Sequence, residues 1–286
     1  MKIKEPKTRR EKFLEKKADE PWQKAELHLH TSEDKKDGYF IKYSLIDFLR
    51  LAKKKKYDIV AVTNHESVPE KNVLARAKMY ADKVGMVLIP GVEANINGSH
   101  ILLYFDFDVD HNRIISEIRS FDDISIFYKN GIIKMIGAPH PFYHHSSLGH
   151  KTYRYYSLFD FVEYSWFYTN PPSWFPFKSQ FFNMNIKAVE FARKEKIPLM
   201  AGGDLHNLDF FSKDFTMIRC KKDIGSFFET VKEAKKLKLE SSEISKVINI
   251  RSSPLSLPRF SFISLKLIVS IVRYYSKEFF NKLNFF

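Results

Sequence analysis

The stretch AELHLHT, residues 25–31, places His28 and His30 two positions apart at the end of an apolar run. On a β-strand such residues point to the same side, so both imidazoles can reach one metal ion. The arrangement returns in PLMAGGDLH (198–206), where Asp204 and His206 close another apolar run. Between them lie DIVAVTNH (58–65), MVLIPGVE (86–93), SHILLYF (99–105), IKMIGAPHP (133–141) and FVEYSW (161–166). Several of these are rich in Val, Ile and Leu and stop at Gly, Pro or Asn, the pattern of buried parallel strands. Helical periodicity with charged faces runs over 43–56, 70–84 and 179–196. This alternation predicts an α/β fold, either a barrel or an open sheet. A further strand-like run, FTMIRC (215–220), and a helix over 224–239 close the region. A Ser/Pro-rich joint, RSSPLSLPR (251–259), then leads to a C-terminal helix candidate.

The polar residues gather where the strand-like runs end. His65 follows Thr63-Asn64, Glu93 follows Pro90-Gly91-Val92, and His140 lies between Pro139 and Pro141. Asp34 and Asp37 follow the first run. The C-terminal ends of barrel strands are where catalytic groups collect. His100 is the exception, because it opens its run; it joins the others only from an antiparallel or irregular segment. Imidazole and carboxylate without thiolate suit Zn, Mn or Fe. Each residue also has a structural alternative: Asp204 as a helix N-cap, His140 in a rigid turn, Glu93 on a solvated loop. Six of the ten histidines at strand ends, beside matching carboxylates, favour the metal reading over those alternatives.

Composition narrows the class. A chain of 286 residues with 44% hydrophobic and 15% aromatic residues can bury a substantial core. With Cys220 as the one cysteine, no intramolecular disulfide and no thiolate zinc finger can form. The charged N-terminus has no apolar stretch of a secretory signal, and no window holds the ~18 apolar residues of a membrane span, so a cytoplasmic protein is expected. The net charge of +13 is uneven: residues 25–206 carry only +2, against +4 for 1–24 and +7 for 207–286.

In order and spacing, LHLHTS…DG, VTNH, PGVE, HILLY, APHP, VEYSW and GGDLH resemble the polymerase and histidinol phosphatase (PHP) family of metal-dependent phosphoesterases. The resemblance covers residues 25–220, and about 240 with the closing helix. It implies a distorted seven-stranded β/α, TIM-like barrel with a C-terminal helical extension and two or three divalent metal ions (Mn, Zn or Fe) at the strand ends. By that resemblance His28, His30, Glu93 and Asp204 hold a first metal. Glu93 bridges to a second, held also by His100 and His140, and Asp37, His65 and His206 hold a third. The implied reaction is hydrolysis of a phosphomonoester or short phosphodiester by a hydroxide bridging the first two metals. A phosphorylated small molecule or short nucleotide is the implied substrate.

Two departures stand out. The family commonly has T-D-H where this chain has Thr63-Asn64-His65; an Asp that orients the histidine would here be replaced by an uncharged acceptor. The first loop is also long, which leaves Asp34 or Asp37 as the third-metal ligand; Gly38 favours Asp37. Cations near the metals would suit phosphate, and Lys151 and Arg154 in the segment 140–156 are the candidates, with a solvated loop as the alternative. The aromatic, Pro-rich connection 167–182 could stack a flat ring or pack on the barrel. Glu163 matches a family position without an assigned role.

The chain thus divides into a basic N-terminal extension (1–24), a metallophosphoesterase barrel (25–240), and a linker with an amphipathic C-terminal helix (241–286). In that helix Lys266, Ser270, Arg273 and Lys277 form one polar stripe. The remaining face could pack on the barrel or a second subunit, lie at a membrane interface, or support nucleic-acid binding. The alternatives to a small-molecule phosphoesterase are a nuclease acting on nucleic-acid ends, which the basic flanks favour, and a non-catalytic metal-binding partner module. An amidohydrolase also opens on H-x-H, but the bridging lysine of that class has no candidate at a strand end.

Overall fold

The computed structural model describes residues 6–143, 146–165 and 178–252. His144, His145, most of the 167–182 connection and the C-terminal helix candidate lie outside the described residues.

Among the described residues, nine strands form one sheet in the order β7-β6-β5-β4-β3-β2-β1-β8-β9. In chain order they are β1 (Trp22–Glu26), β2 (Ile59–Val62), β3 (Val87–Ile96), β4 (Ser99–Tyr104), β5 (Met135–Ala138), β6 (Phe161–Tyr164), β7 (Leu199–Ala201), β8 (Asp214–Arg219) and β9 (Ile248–Ser252). The seven strands implied by the resemblance are therefore nine. The two additions, β8 and β9, run antiparallel beyond β1. They extend the sheet past its β/α units; β8 is the strand-like run read at 215–220, and β9 is the strand the sequence reading did not include.

β1, β2 and β3 are mutually parallel, with α2 (Leu45–Lys54) and α3 (Lys71–Lys83) as crossovers. β4 is antiparallel to β3 and β5. The β3–β4 turn needs only Asn97 and Gly98, both with positive φ (52° and 76°), the conformation of a type I′ hairpin. β5, β6 and β7 are again parallel, and α7 (Lys178–Glu195) crosses between β6 and β7.

The sheet curls until its ends nearly meet. Beyond β1 and β7 the chain makes a parallel bridge between Leu29 and Leu205. His30 N donates to Leu205 O (3.1 Å) and Leu205 N to His28 O (3.2 Å). Lower down, the Thr216 hydroxyl of β8 accepts from Ala201 N of β7 at 2.8 Å, a side chain doing what a ladder bond would do. The result is a nearly closed barrel.

Strand alternation divides the core. Ala25, Leu27, Ile59, Ala61, Ile89, Leu102, Tyr104, Met135, Phe161 and Met200 form one buried cluster, which continues into Phe227, Phe228 and Val231 of α8 (Ile224–Lys236). Their neighbours Val60, Val62, Leu88, Leu103 and Ile136 face the other way, onto Phe48, Leu49, Leu74 and Ala77 of α2 and α3. Period two in the strands and 3.6 in the helices produce this two-sided core. At Gly137 an added Cβ would fall on the Phe161 ring, so the lumen closes there only around glycine.

The N-terminal extension joins the fold. α1 (Arg9–Ala18) has a Thr8/Glu11 capping box, and its Phe13 and Leu14 pack on the lumen-side cluster. Arg9 makes a two-point contact with Glu233 at 3.0 and 2.9 Å, Arg10 pairs with Glu243, and Lys16 approaches Glu229 at 3.6 Å. Much of the N-terminal positive charge is thus spent inside the molecule. No helix among the described residues is long and apolar enough to cross a membrane.

Candidate metal centre

The barrel rim carries the polar cluster. The bridge between Leu29 and Leu205 sets His28 and His30 beside Asp204 and His206, and a second bridge joins His65 to Glu93. Because β4 runs antiparallel, its first residues lie at the rim where the parallel strands end. His100 pairs in register with Asn95, which meets the antiparallel condition set by its place in the sequence. His140 stands two residues beyond the end of β5. His140 and Asp204 both have left-handed backbones (φ 27° and 43°), a strained state costing on the order of 1–3 kcal/mol each that clusters at functional sites. Asp204 caps no helix; the cap of the 3-10 turn Leu208–Phe210 is Asn207.

The donor atoms converge. His28 Nε2 and His30 Nε2 are 3.1 Å apart. Each lies 3.4–3.6 Å from both Glu93 Oε2 and Asp204 Oδ1. Four ligands about 2.1 Å from a tetrahedral centre stand roughly 3.4 Å from one another, so this quartet has the spacing of a coordination shell. Glu93 turns its other oxygen to His100 Nδ1 (2.7 Å) and His140 Nε2 (3.0 Å), while His65 Nε2 lies 3.0 Å from Glu93 Oε2. His206 Nε2 is 3.1 Å from Asp37 Oδ2. Three overlapping groups have ligand atoms within 4.8 Å of one another: His28/His30/Glu93/Asp204, His65/Glu93/His100 and His30/His65/His206. His100 Nε2 is also buried without a hydrogen-bond partner. The donor set and its spacing fit divalent metal ions.

Two buried carboxylates hold the rings in place, and neither role is readable from spacing. Glu163 Oε1 is 2.8 Å from His28 Nδ1, and its Oε2 accepts His140 N at 2.8 Å. Asp34 Oδ2 meets His30 Nδ1 (2.8 Å), His65 Nδ1 (3.0 Å) and His65 N (2.8 Å). A carboxylate behind a ligating imidazole fixes its tautomer and orientation. A Cβ at Gly202 would land on Glu163 Oε1, so this glycine leaves room for it. Asp34 and Asp37, alternatives for one position in the sequence, take different places here: Asp34 behind the rings, Asp37 against His206. Asn64 does not orient His65. Its Oδ1 accepts from Thr31 N (2.9 Å), tying the two strand ends together, and Asp34 orients the ring instead. The signal for Glu163 was a carboxylate inside an apolar strand, which demands a partner.

The electrostatics are those of a cation site. Burial disfavours a charged His28, yet Glu163, Glu93 and Asp204 hold its pKa well above the usual imidazole value. Burial likewise opposes a charged His30, and its hydrogen bonds to the Asp204, Asp34 and Glu93 carboxylates raise it to about 10. Glu93 and Asp204 stay well below the carboxylate range, because nearby imidazoles outweigh burial. The field that retains protons on these rings also attracts divalent cations, and the two compete. Loading metal-free protein with Mn or Zn near neutral pH is therefore expected to release at least about one proton per chain. Calorimetry in buffers of different ionisation enthalpy measures it, and a heat independent of buffer would contradict it.

The two rim cations read from the sequence have contacts within the protein. Lys151 Nζ donates to Asn97 O (2.8 Å) and Ser99 Oγ (2.9 Å) of the β3–β4 hairpin. Arg154 is exposed and lies over the Tyr155 ring at 5.2 Å.

No protein-family model matches the chain, and no curated protein matches it by sequence. Solved structures do. A two-domain protein from Bacteroides vulgatus, containing a predicted PHP-like metal-dependent phosphoesterase, matches with a TM-score of 0.55 at 14% identity, over 82% of this chain and 67% of that one. The chain shares the fold of that PHP-like protein. PsfC from Pseudomonas syringae is similar at a TM-score of 0.51 and 11% identity, over 90% of this chain and 99% of its own. In this chain the barrel brings six histidines and three carboxylates to one rim.

Proposed function

We propose that the protein is a metal-dependent phosphoesterase that hydrolyses a phosphomonoester or short phosphodiester. The observation that carries this is the His28/His30/Glu93/Asp204 quartet, continuous through Glu93 with His65, His100 and His140. His28, His30, Glu93 and Asp204 would hold a first cation. Glu93, His100 and His140 would hold a second, and Asp37, His65 and His206 a third. Bound there, divalent cations supply an activated water and neutralise charge on phosphoryl oxygens. The chain's own part is to fix the donors: Glu163 aims His28, Asp34 aims His30 and His65, and the Glu93 carboxylate reaches both sides of the cluster. No thiol or hydroxyl nucleophile is needed.

Metal-stripped protein reloaded with Mn or Zn is expected to turn over at least one compound in a panel of phosphomonoesters and short phosphodiesters. His28→Ala is expected to abolish that turnover while circular dichroism stays that of the parent. A fully loaded protein inert across the panel would overturn the reading. Labelled single-stranded DNA and RNA in the same panel separate a nuclease from a small-molecule enzyme.

A further inference from the structure

The metal quartet is divided by the seam of the barrel. His28 and His30 stand on the chain leaving β1, and Asp204 on the chain leaving β7. Among the described residues β1 pairs as a strand with β2 and β8, and β7 with β6. Asp204 Oδ1 still lies 3.6 Å from His28 Nε2 and 3.4 Å from His30 Nε2. Whatever joins the two strand ends therefore sets the separation of these donors. One joint lies just after Asp204, where Leu205 N donates to His28 O (3.2 Å) and His30 N to Leu205 O (3.1 Å). The Tyr43 hydroxyl donates to the same Leu205 carbonyl at 2.8 Å.

The joint just before Asp204 is made by a side chain. Glu26 Oε1 accepts from Gly203 N at 2.8 Å, and on its own strand from Leu27 N (3.1 Å) and His28 N (3.2 Å). Glu26 is 1% exposed, its Oε2 is buried without a hydrogen-bond partner, and it belongs to none of the three groups of converging donors. In sequence it is a carboxylate between Ala25 and Leu27, both members of the lumen-side cluster. Burying a carboxylate is unfavourable unless its oxygens are satisfied, and a leucine or methionine would fill the space without that penalty. What an apolar side chain lacks is an acceptor for the Gly203 amide. Gly203 precedes Asp204, whose left-handed backbone (φ 43°) persists only where the surroundings over-determine it. The cross-seam bonds at Gly203 and Leu205 do so from both sides.

We propose that Glu26 is a positioning residue of the metal centre: through the Gly203 amide it holds Asp204 at ligand distance from His28 and His30. It works as a hydrogen-bond acceptor of fixed reach, not as a ligand. The proposal rests on the metal reading of the quartet and assigns a part of the site that the phosphoesterase reading leaves out.

Two conservative substitutions separate reach from charge. Glu26→Asp keeps the carboxylate and can still meet the amides of its own strand, but it is one methylene short of the seam. Glu26→Gln keeps the reach and a carbonyl acceptor while removing the charge. The effect is read as manganese affinity by calorimetry and as the visible absorption of the cobalt(II)-loaded proteins, whose bands report ligand geometry. Glu26→Asp is expected to bind manganese about 10- to 100-fold more weakly and to shift the cobalt bands at saturating metal. Glu26→Gln is expected to stay within about threefold of the parent, with the parent's bands, and circular dichroism should be unchanged in both. Parent-like affinity and bands in Glu26→Asp overturn the proposal and leave the phosphoesterase reading standing. So does a loss of about tenfold or more in Glu26→Gln, whatever the aspartate protein does. A parent protein that binds neither metal overturns both.

Discussion

Glu93→Gln is expected to lower phosphoester turnover at least about 10³-fold, some 4 kcal/mol of transition-state stabilisation, and to reduce the metal bound per chain. Glu93 meets both sides of the cluster through its two oxygens. Its Oε1 meets His100 and His140 at 2.7 and 3.0 Å, and its Oε2 meets His65 at 3.0 Å, His30 at 3.4 Å and His28 at 3.5 Å. Glutamine keeps the shape and one oxygen. It replaces the other oxygen by an amide nitrogen, which donates where the carboxylate accepts and adds no negative charge. The carboxylate is fully ionised at working pH, since the imidazoles hold it well below its ordinary range, so the substitution removes a whole charge. Excess metal is not expected to restore activity, because the lost group is itself a ligand. Elemental analysis and steady-state kinetics check both parts. A Glu93→Gln protein with full metal content and turnover within about tenfold of the parent would exclude Glu93 as a shared ligand.

The residues of the cluster were legible in the sequence because their geometry is local. Two histidines at i and i+2 share a strand face whatever surrounds them, and a run that ends in Pro-Gly-Val-Glu or Pro-His-Pro announces a strand end. His100 was legible only through a condition, an antiparallel strand, and the Asn97-Gly98 turn supplies it. Glu163 and Asp34 were not legible in their roles, because a carboxylate acquires an imidazole partner from another strand only when the barrel closes. Glu163 reaches His28 across 135 residues. Asn64 misled for the same reason: its neighbour in sequence is His65, while its partner in space is Thr31. β9 was hidden because INIRS (248–252) is short and only half apolar, and borders the Ser/Pro joint. It becomes a strand because β8 offers it an edge, with Met217 opposite Asn249. The basic N-terminus read only as a charged extension; its arginines meet carboxylates of α8 and of the turn at Ser241–Ile244, a match that charge counting cannot see.

The largest expected effect away from the ligands themselves belongs to Asp34→Asn. The Asp34 carboxylate accepts from five donors: His30 Nδ1, His65 Nδ1 and His65 N at Oδ2, and Lys36 N and Asp37 N at Oδ1. A carboxylate can do this because it only accepts. An asparagine must turn its NH2 toward one side. Facing the histidines, it frees the rings of His30 and His65; facing the loop, it releases Lys36 and Asp37 and with them the placement of Asp37 against His206. Loss of such a supporting group costs 10- to 100-fold in metal affinity or activity, and here two rings share it, so a fall of roughly 10²- to 10³-fold at limiting metal is expected. Saturating metal should recover part of that loss, because every ligand remains; this separates Asp34→Asn from Glu93→Gln. Acid stability carries an independent signature. Burial would raise the Asp34 pKa, but His30 and His65 hold it well below its ordinary 3.8. A carboxylate lowered in this way contributes stability that is present above its unfolded pKa and lost as pH falls toward the folded one. The metal-free parent should therefore lose stability more steeply than metal-free Asp34→Asn as pH drops below about 4, followed by thermal midpoints across that range. Parallel acid limbs, together with metal affinity unchanged within about threefold, would remove Asp34 from its place behind the two histidines.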